Sequence, residues 1–304
     1  MKAVRIHRFG GPEVLTLEDL PAPQPGPGEV VITVRAASVN PVDYKIRQGG
    51  FLGEDKLPLT LGRDVSGTIA KGGGALREGD PVYAMLAPDH GGYAEQVLAK
   101  ATDVAAKPAK VDFVHAAAVP LAALTAWQGL FDHGGLRQGQ RVLVHGGAGG
   151  VGHFAVQFAH AKGATVLATA AGDDLDFVRS LGAEVAIDYK AQRFEDLARD
   201  IDLVFDLIAG ETQRRSWSVL KPGGILVSTL QKPDEQEAQR HRARGTNYMA
   251  KPNGAQLGEI ARLIDAGKVR PVVAATMPLA EAARAQELLE REHIRGKVVL
   301  TIAA

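Results

Sequence analysis

The sequence predicts an α/β protein with two domains, a β-rich domain and a doubly wound domain around a parallel sheet. Its 304 residues correspond to roughly two domains by the usual length prior. The first ~120 residues form short strand-like pieces separated by glycine and proline, and strands then alternate with helical segments. A glycine-rich turn, HGGAGGVG, joins one of these strands to the helix that follows.

The β-rich domain is indicated by its first long strand. The stretch VVITVRAASV, residues 30–39, alternates and is β-branched, as a half-buried strand should be. It follows PAPQPGPGE, a proline-rich stretch that predicts an extended connection. Further strand-like pieces are LGRDVSGTIA, DPVYAML and GGYAEQVLA. Together they predict an all-β unit of barrel or sandwich type.

The doubly wound domain begins after a helical stretch that ends in Gly-Gly, VDFVHAAAVPLAALTAWQGLFDHGG. Apolar strands then alternate with helices; the predicted strands are RVLVHG, TVLATA, VAIDY, IDLVFDLI and GGILVST. Nearly continuous apolar strands between helices are typical of a parallel sheet covered on both faces. We expect GGILVSTL to lie at the edge of this sheet.

The last part of the chain combines helical segments with further strand-like pieces. The charged segment QKPDEQEAQRHRARG is predicted to be loose, and NGAQLGEIARLIDAG is predicted to be a helix. A β–helix–β ending follows, formed by VVAATMPL, EAARAQELLEREH and KVVLTI.

Within the glycine-rich turn, Gly147, Gly149 and Gly152 fit the spacing G-x-G-x-x-G between a strand and a helix. Gly147 is predicted to permit the tight turn, and Gly149 to let a pyrophosphate lie against the backbone. Gly152 is predicted to bring the helix close to the strand. Together with Ala148, Gly150 and Val151, these residues would offer amides and a helix dipole to a dinucleotide.

Composition excludes several function classes. Lys+Arg and Asp+Glu are both 35, so the net charge of zero gives no electrostatic case for nucleic acid or an anionic membrane. No apolar run approaches the ~20 residues of a membrane span, and the N-terminus lacks the apolar core of a signal peptide. Cysteine is absent, and the nine histidines show no paired spacing, so we predict no metal site. A cytoplasmic protein is the expectation.

From these stretches the chain resembles the medium-chain dehydrogenase/reductase superfamily, in its zinc-independent quinone oxidoreductase (zeta-crystallin-like) branch. The resemblance covers essentially the whole chain, and GQRVLVHGGAGGVGHFAVQFAHAKGA is its most specific element. It implies a GroES-like β-barrel catalytic domain, residues 1–120 completed by 268–304, and a Rossmann domain, residues 121–267. It also implies an active site in the cleft between these domains.

The same resemblance implies that catalytic zinc is absent. Asn40 matches the position of a zinc-binding Cys in alcohol dehydrogenases of the superfamily, and Arg63 matches the position of a zinc-binding His. A metal that would polarise an alcohol is therefore missing, and reduction of an electron-poor acceptor remains. The acceptor classes implied are quinones and α,β-unsaturated carbonyl compounds.

Site residues are carried over from the family by matching positions. Asn40 and Tyr44 match catalytic positions that face nicotinamide and substrate, where Tyr44 would donate a hydrogen bond to a developing oxyanion. Besides the turn, residues 147–152, the positions that match cofactor-binding ones are Thr125, Thr169, Asp173, Tyr189, Ile208 and Lys297. Each also has a structural interpretation; Asp173, for example, would serve as a helix N-cap.

The cofactor preference departs from the branch. Most members use NADP(H) and place a Ser, Arg or Lys near the end of the second Rossmann strand, whereas here Ala171 and Asp173 stand there. An acid would repel a 2′-phosphate and accept a hydrogen bond from a 2′-hydroxyl. NADP(H) is thus implied by the family, and use of NAD(H) is our hypothesis, with Arg179 or Lys190 as alternative phosphate partners.

Three functions remain open at this point: a quinone reductase, a 2-alkenal or enone reductase, and a cofactor-binding protein with little turnover. We also expect a homodimer, because the family pairs the exposed edge of its Rossmann sheet across a two-fold axis.

Overall fold

The computed structural model describes residues 1–72 and 76–303, which form two compact units. The first unit contains Met1–Leu121, Pro252–Gly267 and Pro271–Ala304, and the second contains Ala122–Lys251 and Lys268–Arg270. Within the described residues, no helix has the length and apolar character needed to cross a bilayer.

The elements up to the second unit come in the following order: β1 (Lys2–Ile6), β2 (Thr16–Asp19), β3 (Glu29–Val39), α1 (Pro41–Arg47), β4 (Leu59–Thr60), β5 (Asp64–Lys71), β6 (Pro81–Met85), β7 (Gln96–Lys100), β8 (Val104–Ala106) and α2 (Phe113–Ala117). The helical stretch that was predicted next is confirmed as α3 (Pro120–Trp127), which continues as a π-helical turn over Gln128–His133.

Strands and helices alternate in the second unit: β9 (Arg141–His145), α4 (Gly152–Ala161), β10 (Thr165–Ala170), α5 (Leu175–Ser180), β11 (Val185–Asp188), α6 (Phe194–Leu197), β12 (Ile201–Asp206), α7 (Gly210–Ser216), β13 (Leu220–Ser228), α8 (Glu235–Arg240) and β14 (Arg244–Asn247). The chain ends with α9 (Gly254–Asp265), β15 (Val273–Pro278), α10 (Ala282–Arg291) and β16 (Lys297–Thr301).

The first unit is built around β3, which supplies the long alternating strand that the sequence predicts. Its sheet has the order β15-β16-β3-β5-β6-β8, and β7 also pairs with β3; a smaller sheet has the order β2-β1-β4. Val30, Ile32 and Val34 of β3 are at most 1% exposed, and Val31, which points to the opposite face, is 2% exposed. Part of β3 is therefore buried on both faces, more than the half-buried strand that the sequence predicts.

The second unit holds a parallel sheet of order β11-β10-β9-β12-β13-β14. The chain reverses its direction of winding between β9 and β12, which lie side by side in the middle of the sheet. In open parallel sheets, ligands bind beyond the carboxyl ends of the strands at such a reversal. The fold therefore places the residues that follow β9 and β12 at the binding position.

The sheet edge differs from the prediction. GGILVSTL belongs to β13, but β14 pairs with it in parallel and forms the edge. The charged segment that we predicted to be loose contains α8 and the start of β14. Asp234 caps α8 by accepting from the amides of Gln236 and Glu237, and Gly245 lies so close to Pro233 that a Cβ would be 2.7 Å away. These local contacts give order to a segment without apolar periodicity.

The unit boundaries differ from the predicted domains in one helix and in the three residues after it, 268–270, which group with the second unit. Residues 252–267, which we assigned to the Rossmann domain, group with the first unit. Tyr83 on β6 donates its hydroxyl to Leu257 O at 2.6 Å, and the amide of Lys110 donates to Asp265 at 2.9 Å. These contacts of α9 are long-range, so its sequence does not reveal which sheet it covers.

Candidate functional site

The turn between β9 and α4 has the predicted strand–turn–helix setting, but the tight bend lies one residue earlier than expected. Gly146, directly after β9, has a φ of +75°, a left-handed conformation that favours glycine. Gly147 has a different role, because a Cβ there would lie 2.9 Å from Ala168 Cβ on β10. The assignment of the tight turn to Gly147 was therefore wrong, and its glycine is required by close packing.

Gly149 and Gly152 differ in the space around them. A Cβ on Gly152 would lie 2.0 Å from Gly146 O, which confirms that this glycine brings the helix close to the turn. A Cβ on Gly149 would meet only Gly146 O at 3.5 Å. Gly149 is thus not required by packing within the described residues, as expected if its bare backbone serves a ligand.

The exposed part of the turn also carries partial positive charge, which favours an anionic group. Gly149, Gly150 and Val151 are partly exposed, whereas Ala148 is buried. The first amides of a helix lack intrahelical partners, and the helix dipole places partial positive charge there. The start of α4 therefore fits the diphosphate of a dinucleotide, which is the group that the sequence predicted.

Ile208 lies beside this turn. A Cβ on Gly146 would be 3.2 Å from Ile208 Cδ1, and Ile208 is 52% exposed. Its loop is held by Asp206, a buried residue at the end of β12 whose Oδ1 accepts from the amides of Ile208 and Ala209 at 3.0 and 2.9 Å. Asp206 Oδ2 accepts from Ser228 Oγ at 2.9 Å. The sequence analysis missed Asp206, although an acid that ends an apolar strand is a usable signal.

The end of β10 carries the next group of predicted residues. The amide of Tyr189 donates to Ala170 O at 3.2 Å, so Tyr189, 57% exposed, lies at the carboxyl end of β10. Asp173 is exposed in a 3₁₀ turn, Gly172–Asp174. A Cβ on Gly172 would lie 2.9 Å from Asp188 Oδ2, so a second acid, which we did not predict, borders the same strand end.

Thr169 and Thr125 are both enclosed. Thr169 is 4% exposed, and its hydroxyl accepts from the amide of Gly146 at 3.2 Å, so it supports the turn from within the unit. Thr125 is 7% exposed on α3, and its carbonyl accepts from the hydroxyl of Tyr248. Tyr248 stacks on His133 with ring centroids 4.4 Å apart. The second unit thus brings the turn, Ile208 and Thr169 together.

In the first unit, Asn40 begins α1 and is 1% exposed. Its Nδ2 donates to Asp64 Oδ2 at 2.8 Å. The same carboxylate accepts from Ser38 Oγ at 2.6 Å through Oδ2, and from the amide of Leu121 at 2.6 Å through Oδ1. Asp64 therefore links β3, the start of α1 and the start of α3, a role that the sequence analysis did not assign to it.

Lys297 closes the same arrangement from β16. Its Nζ donates to Asn40 Oδ1 and to Val39 O, the latter at 3.2 Å, and lies 3.9 Å from Asp64 Oδ2. Lys297 is 3% exposed. Burial lowers its pKa, against the opposing effect of the nearby Asp64 and Asp43 carboxylates. We call Asn40, Asp43, Arg63, Asp64 and Lys297 the buried charge cluster.

Asp43 is the member of this cluster whose pKa is raised to the neutral range. Its Oδ2 accepts from the amide of Asn40 at 2.8 Å and from Tyr93 OH at 2.9 Å, while its Oδ1 has no partner among the described residues. Burial raises the pKa of Asp43 to about 7, although those two hydrogen bonds act in the opposite direction. Asp43 therefore changes its charge near neutral pH, next to Asn40.

Tyr44 and Arg63 flank these groups. Tyr44 is half-buried on α1, and burial, followed by Glu290, raises its pKa. Its hydroxyl is therefore protonated at neutral pH and able to donate. Arg63 is 8% exposed and donates Nε to Leu86 O at 2.8 Å. Burial lowers the pKa of Arg63, while Asp43 and Asp64 oppose this shift.

A zinc ion does not fit the two positions that match metal ligands in zinc-containing relatives. A guanidinium such as that of Arg63 has no lone pair to give, and Asn40 Oδ1 accepts from Lys297. The chain contains no cysteine. Within residues 1–72 and 76–303, no group of three His, Asp or Glu residues could hold a metal.

An open groove of about 630 Å³ lies elsewhere in the first unit and contains none of the predicted site residues; it is lined by Arg5, Leu52, Lys56, Thr60, Asp89 and His90 among others. Its cations stand on exposed or ion-paired side chains, such as Lys56 beside Asp55 at 3.5 Å. The candidate functional residues lie outside this groove, in the turn of the second unit and in the cluster of the first unit.

Comparison with known protein families agrees with this architecture. The model of the alcohol dehydrogenase GroES-like domain matches residues 26–109, and the model of the zinc-binding dehydrogenase domain matches residues 181–300. These matches confirm the predicted pairing of a GroES-like domain with a nucleotide-binding domain.

Individual relatives match along nearly the full chain. An NADPH-dependent alkenal/one oxidoreductase from Arabidopsis thaliana is 38% identical over 99% of this chain and 79% of its own length. A quinone oxidoreductase from Mus musculus is 32% identical over 99% of this chain and 98% of its own length. The solved structure of a quinone oxidoreductase from Coxiella burnetii is 36% identical, with a TM-score of 0.92, and covers 100% of this chain and 99% of that one.

Proposed function

This chain belongs to the medium-chain dehydrogenase/reductase superfamily, in its quinone oxidoreductase branch, and on that premise we propose that it reduces quinones with a nicotinamide dinucleotide. It is an oxidoreductase of this superfamily, and the quinone is the proposed part. The observation that carries the proposal is the turn after β9, whose Gly149 is open to a ligand at the reversal point of the sheet.

The residues of the second unit fit the cofactor. Residues 147–152 would hold the diphosphate, Ile208 would border the nicotinamide ribose, and Tyr189 would lie against the adenosine part. Thr169 would support the turn and Thr125 would lie near the carboxamide. When bound, the reduced nicotinamide supplies a hydride to the acceptor.

The residues of the first unit would serve the acceptor. Asn40 is fixed by internal hydrogen bonds, and Tyr44 carries a protonated hydroxyl at neutral pH that would donate to the developing oxyanion. Quinone reduction by hydride also needs a proton, which we assign to solvent. The bound cofactor and quinone would themselves exclude water from the space in which the hydride is transferred.

The cofactor would be NAD(H) as readily as NADP(H). The relatives support NADP(H), since one of them is named NADPH-dependent. Against a 2′-phosphate stand two acids at the end of β10, Asp173 and Asp188, whereas Arg179 is engaged with Asp176 at 2.8 Å. Both acids would accept a hydrogen bond from a ribose 2′-hydroxyl.

Reduction of an enone is the second candidate, favoured by the 38% identity to the alkenal/one oxidoreductase. The test is oxidation of NADH and NADPH with 1,4-benzoquinone, 9,10-phenanthrenequinone and a 2-alkenal. Faster turnover with a quinone supports the main proposal, and faster turnover with the alkenal supports the second. Calorimetric binding of cofactor without turnover on any acceptor would indicate a binding protein instead. Absence of binding would overturn all three functions.

A homodimer is proposed on the open edge of the parallel sheet. β14 pairs only on its β13 side within the described residues, and an unpaired edge is a site for association. Sedimentation at micromolar protein tests this, and monomeric behaviour would contradict it.

A further inference from the structure

Hydrogen bonds hold the side-chain amide of Asn40 at both its nitrogen and its oxygen. Its Nδ2 donates to the Asp64 carboxylate at 2.8 Å, and its Oδ1 accepts from the Lys297 ammonium. Nδ2 also donates at 3.5 Å to Ser38 O and to Ser38 Oγ. The amide therefore has its polar contacts defined by partners from β3, β5 and β16.

The chemistry of these partners permits one orientation of the amide. An ammonium can only donate and a carboxylate can only accept, so a flipped amide would set donor against donor at Lys297 and acceptor against acceptor at Asp64. A flip inside this enclosed cluster would leave both charges without a hydrogen-bond partner in Asn40, which is costly in a buried environment.

Lys297 is also directed inward. Its ammonium makes two hydrogen bonds, to Asn40 Oδ1 and Val39 O, and its nearest carboxylate is Asp64 at 3.9 Å. At 3% exposure, the Lys297 ammonium is too enclosed to pair with a phosphate from solvent. The matching position in the family predicted a cofactor contact, and the geometry points to a different role.

We propose that Lys297 is a positioning residue that, together with Asp64, locks the amide of Asn40 in one orientation, and that it does not bind the cofactor. This inference rests on the proposed function, in which Asn40 is catalytic. Desolvation of the ammonium is the cost of this arrangement, and the two carboxylates Asp64 and Asp43 offset it.

The test compares Lys297→Met with Lys297→Arg, which keeps a cationic donor, and with Lys107→Met as a matched control. Lys107 is a half-buried lysine of the first unit whose Nζ donates to Pro108 O and Val111 O, away from the cluster. With saturating cofactor and 1,4-benzoquinone, K297M is expected to lower kcat by about thirtyfold. The kcat of K297R is expected to be about tenfold higher than that of K297M. K107M is expected to change kcat by less than about twofold.

Two readouts separate positioning from other roles. The dissociation constants of NADH and NADPH, measured by fluorescence, are expected to change less than about twofold in K297M. In crystal structures without cofactor, which need no turnover, the Asn40 amide is expected to keep its contacts in K297R. In K297M, Asn40 Oδ1 has lost its donor, and the amide is expected to move from its wild-type position. Where K297M does not fold, K297L, which also lacks a hydrogen-bond donor, takes its place with the same expected outcomes.

Three results would overturn the inference. A rise in the cofactor dissociation constant that matches the loss of activity would make Lys297 a cofactor ligand. Unchanged kcat in K297M, or an unmoved Asn40 amide in its crystal structure, would remove the positioning role. Failure of the wild-type protein to turn over any acceptor would instead count against the proposed function, and the crystal structures would still decide the inference.

Discussion

The glycine turn of the second unit and the buried charge cluster of the first are constructed in opposite ways. The turn is shaped by missing side chains, and at Gly149 the backbone borders open space. The cluster is shaped by side chains that satisfy one another, and Asn40, Asp64 and Lys297 are each at most 3% exposed. A surface made from backbone amides can remain accessible without losing its geometry, whereas a set of charges keeps its geometry only when it is enclosed.

The largest effect that tests this comparison is expected within the turn. Gly152→Ala places a Cβ 2.0 Å from a backbone oxygen and is expected to lower the free energy of unfolding by about 3 kcal/mol. Gly149→Ala makes only an ordinary contact and is expected to leave it within about 0.5 kcal/mol. Urea unfolding followed by circular dichroism measures both.

The same pair separates packing from ligand binding. Gly149→Ala is expected to raise the cofactor dissociation constant by about tenfold, which is ~1.4 kcal/mol, because its methyl group would occupy the approach of the diphosphate. Equal affinity in Gly149→Ala and the wild type would show that the open space at this residue is not where the cofactor lies.

The second effect concerns the cluster and pH. Burial raises the folded-state pKa of Asp43 to about 7 from its usual 3.8, so its contribution to stability is present below pH 3.8 and is lost as the pH rises toward 7. Between pH 5 and pH 8 the wild type is expected to lose about 2–3 kcal/mol more of its free energy of unfolding than Asp43→Asn does.

Urea unfolding at the two pH values measures this difference, with Asp55→Asn, an exposed acid of the same unit, as the control. Parallel pH dependences in the wild type and Asp43→Asn would mean that the carboxyl is ionised throughout, and that the cluster is better solvated than its burial indicates.

The smallest effect sharpens the account of the ligand-facing region. Asp173→Asn removes one negative charge at the end of β10 and is expected to raise kcat/KM for NADPH relative to NADH by about fivefold. The control is Glu184→Gln. Glu184 directly precedes β11, and Asp188 lies at the other end of that strand. An unchanged ratio of the kcat/KM values for NADPH and NADH, or a hundredfold preference of the wild type for NADPH, would show that Asp173 does not determine the cofactor preference.

The two regions also differ in how far the sequence predicts them. The turn follows from a local signature, since its glycines, strand and helix lie within a few residues of one another. The cluster depends on contacts such as that between Asn40 and Lys297, 257 positions apart, which no local pattern reveals. Sequence analysis identified both residues only through family positions, and it gave Lys297 a different partner.

Elements were missed for the same reason. β14 carries exposed polar residues, and its place is set by pairing with β13, so it lacks the alternation by which strands are predicted. The helix α9 was predicted, but its sequence does not reveal that it groups with the first unit, because the contact of Leu257 with Tyr83 is tertiary.

The division of the first unit into separate chain segments bears on the order of folding. Residues 122–251 leave the ribosome as one nearly complete unit, whereas β16, which brings Lys297 to Asn40, is synthesised after every other strand of the two units. Domains generally fold as units during synthesis, so the half of the protein that is translated first is the half that finishes second. A nascent chain arrested before β16 would contain a formed nucleotide-binding unit and a β unit whose central strand still lacks a neighbour.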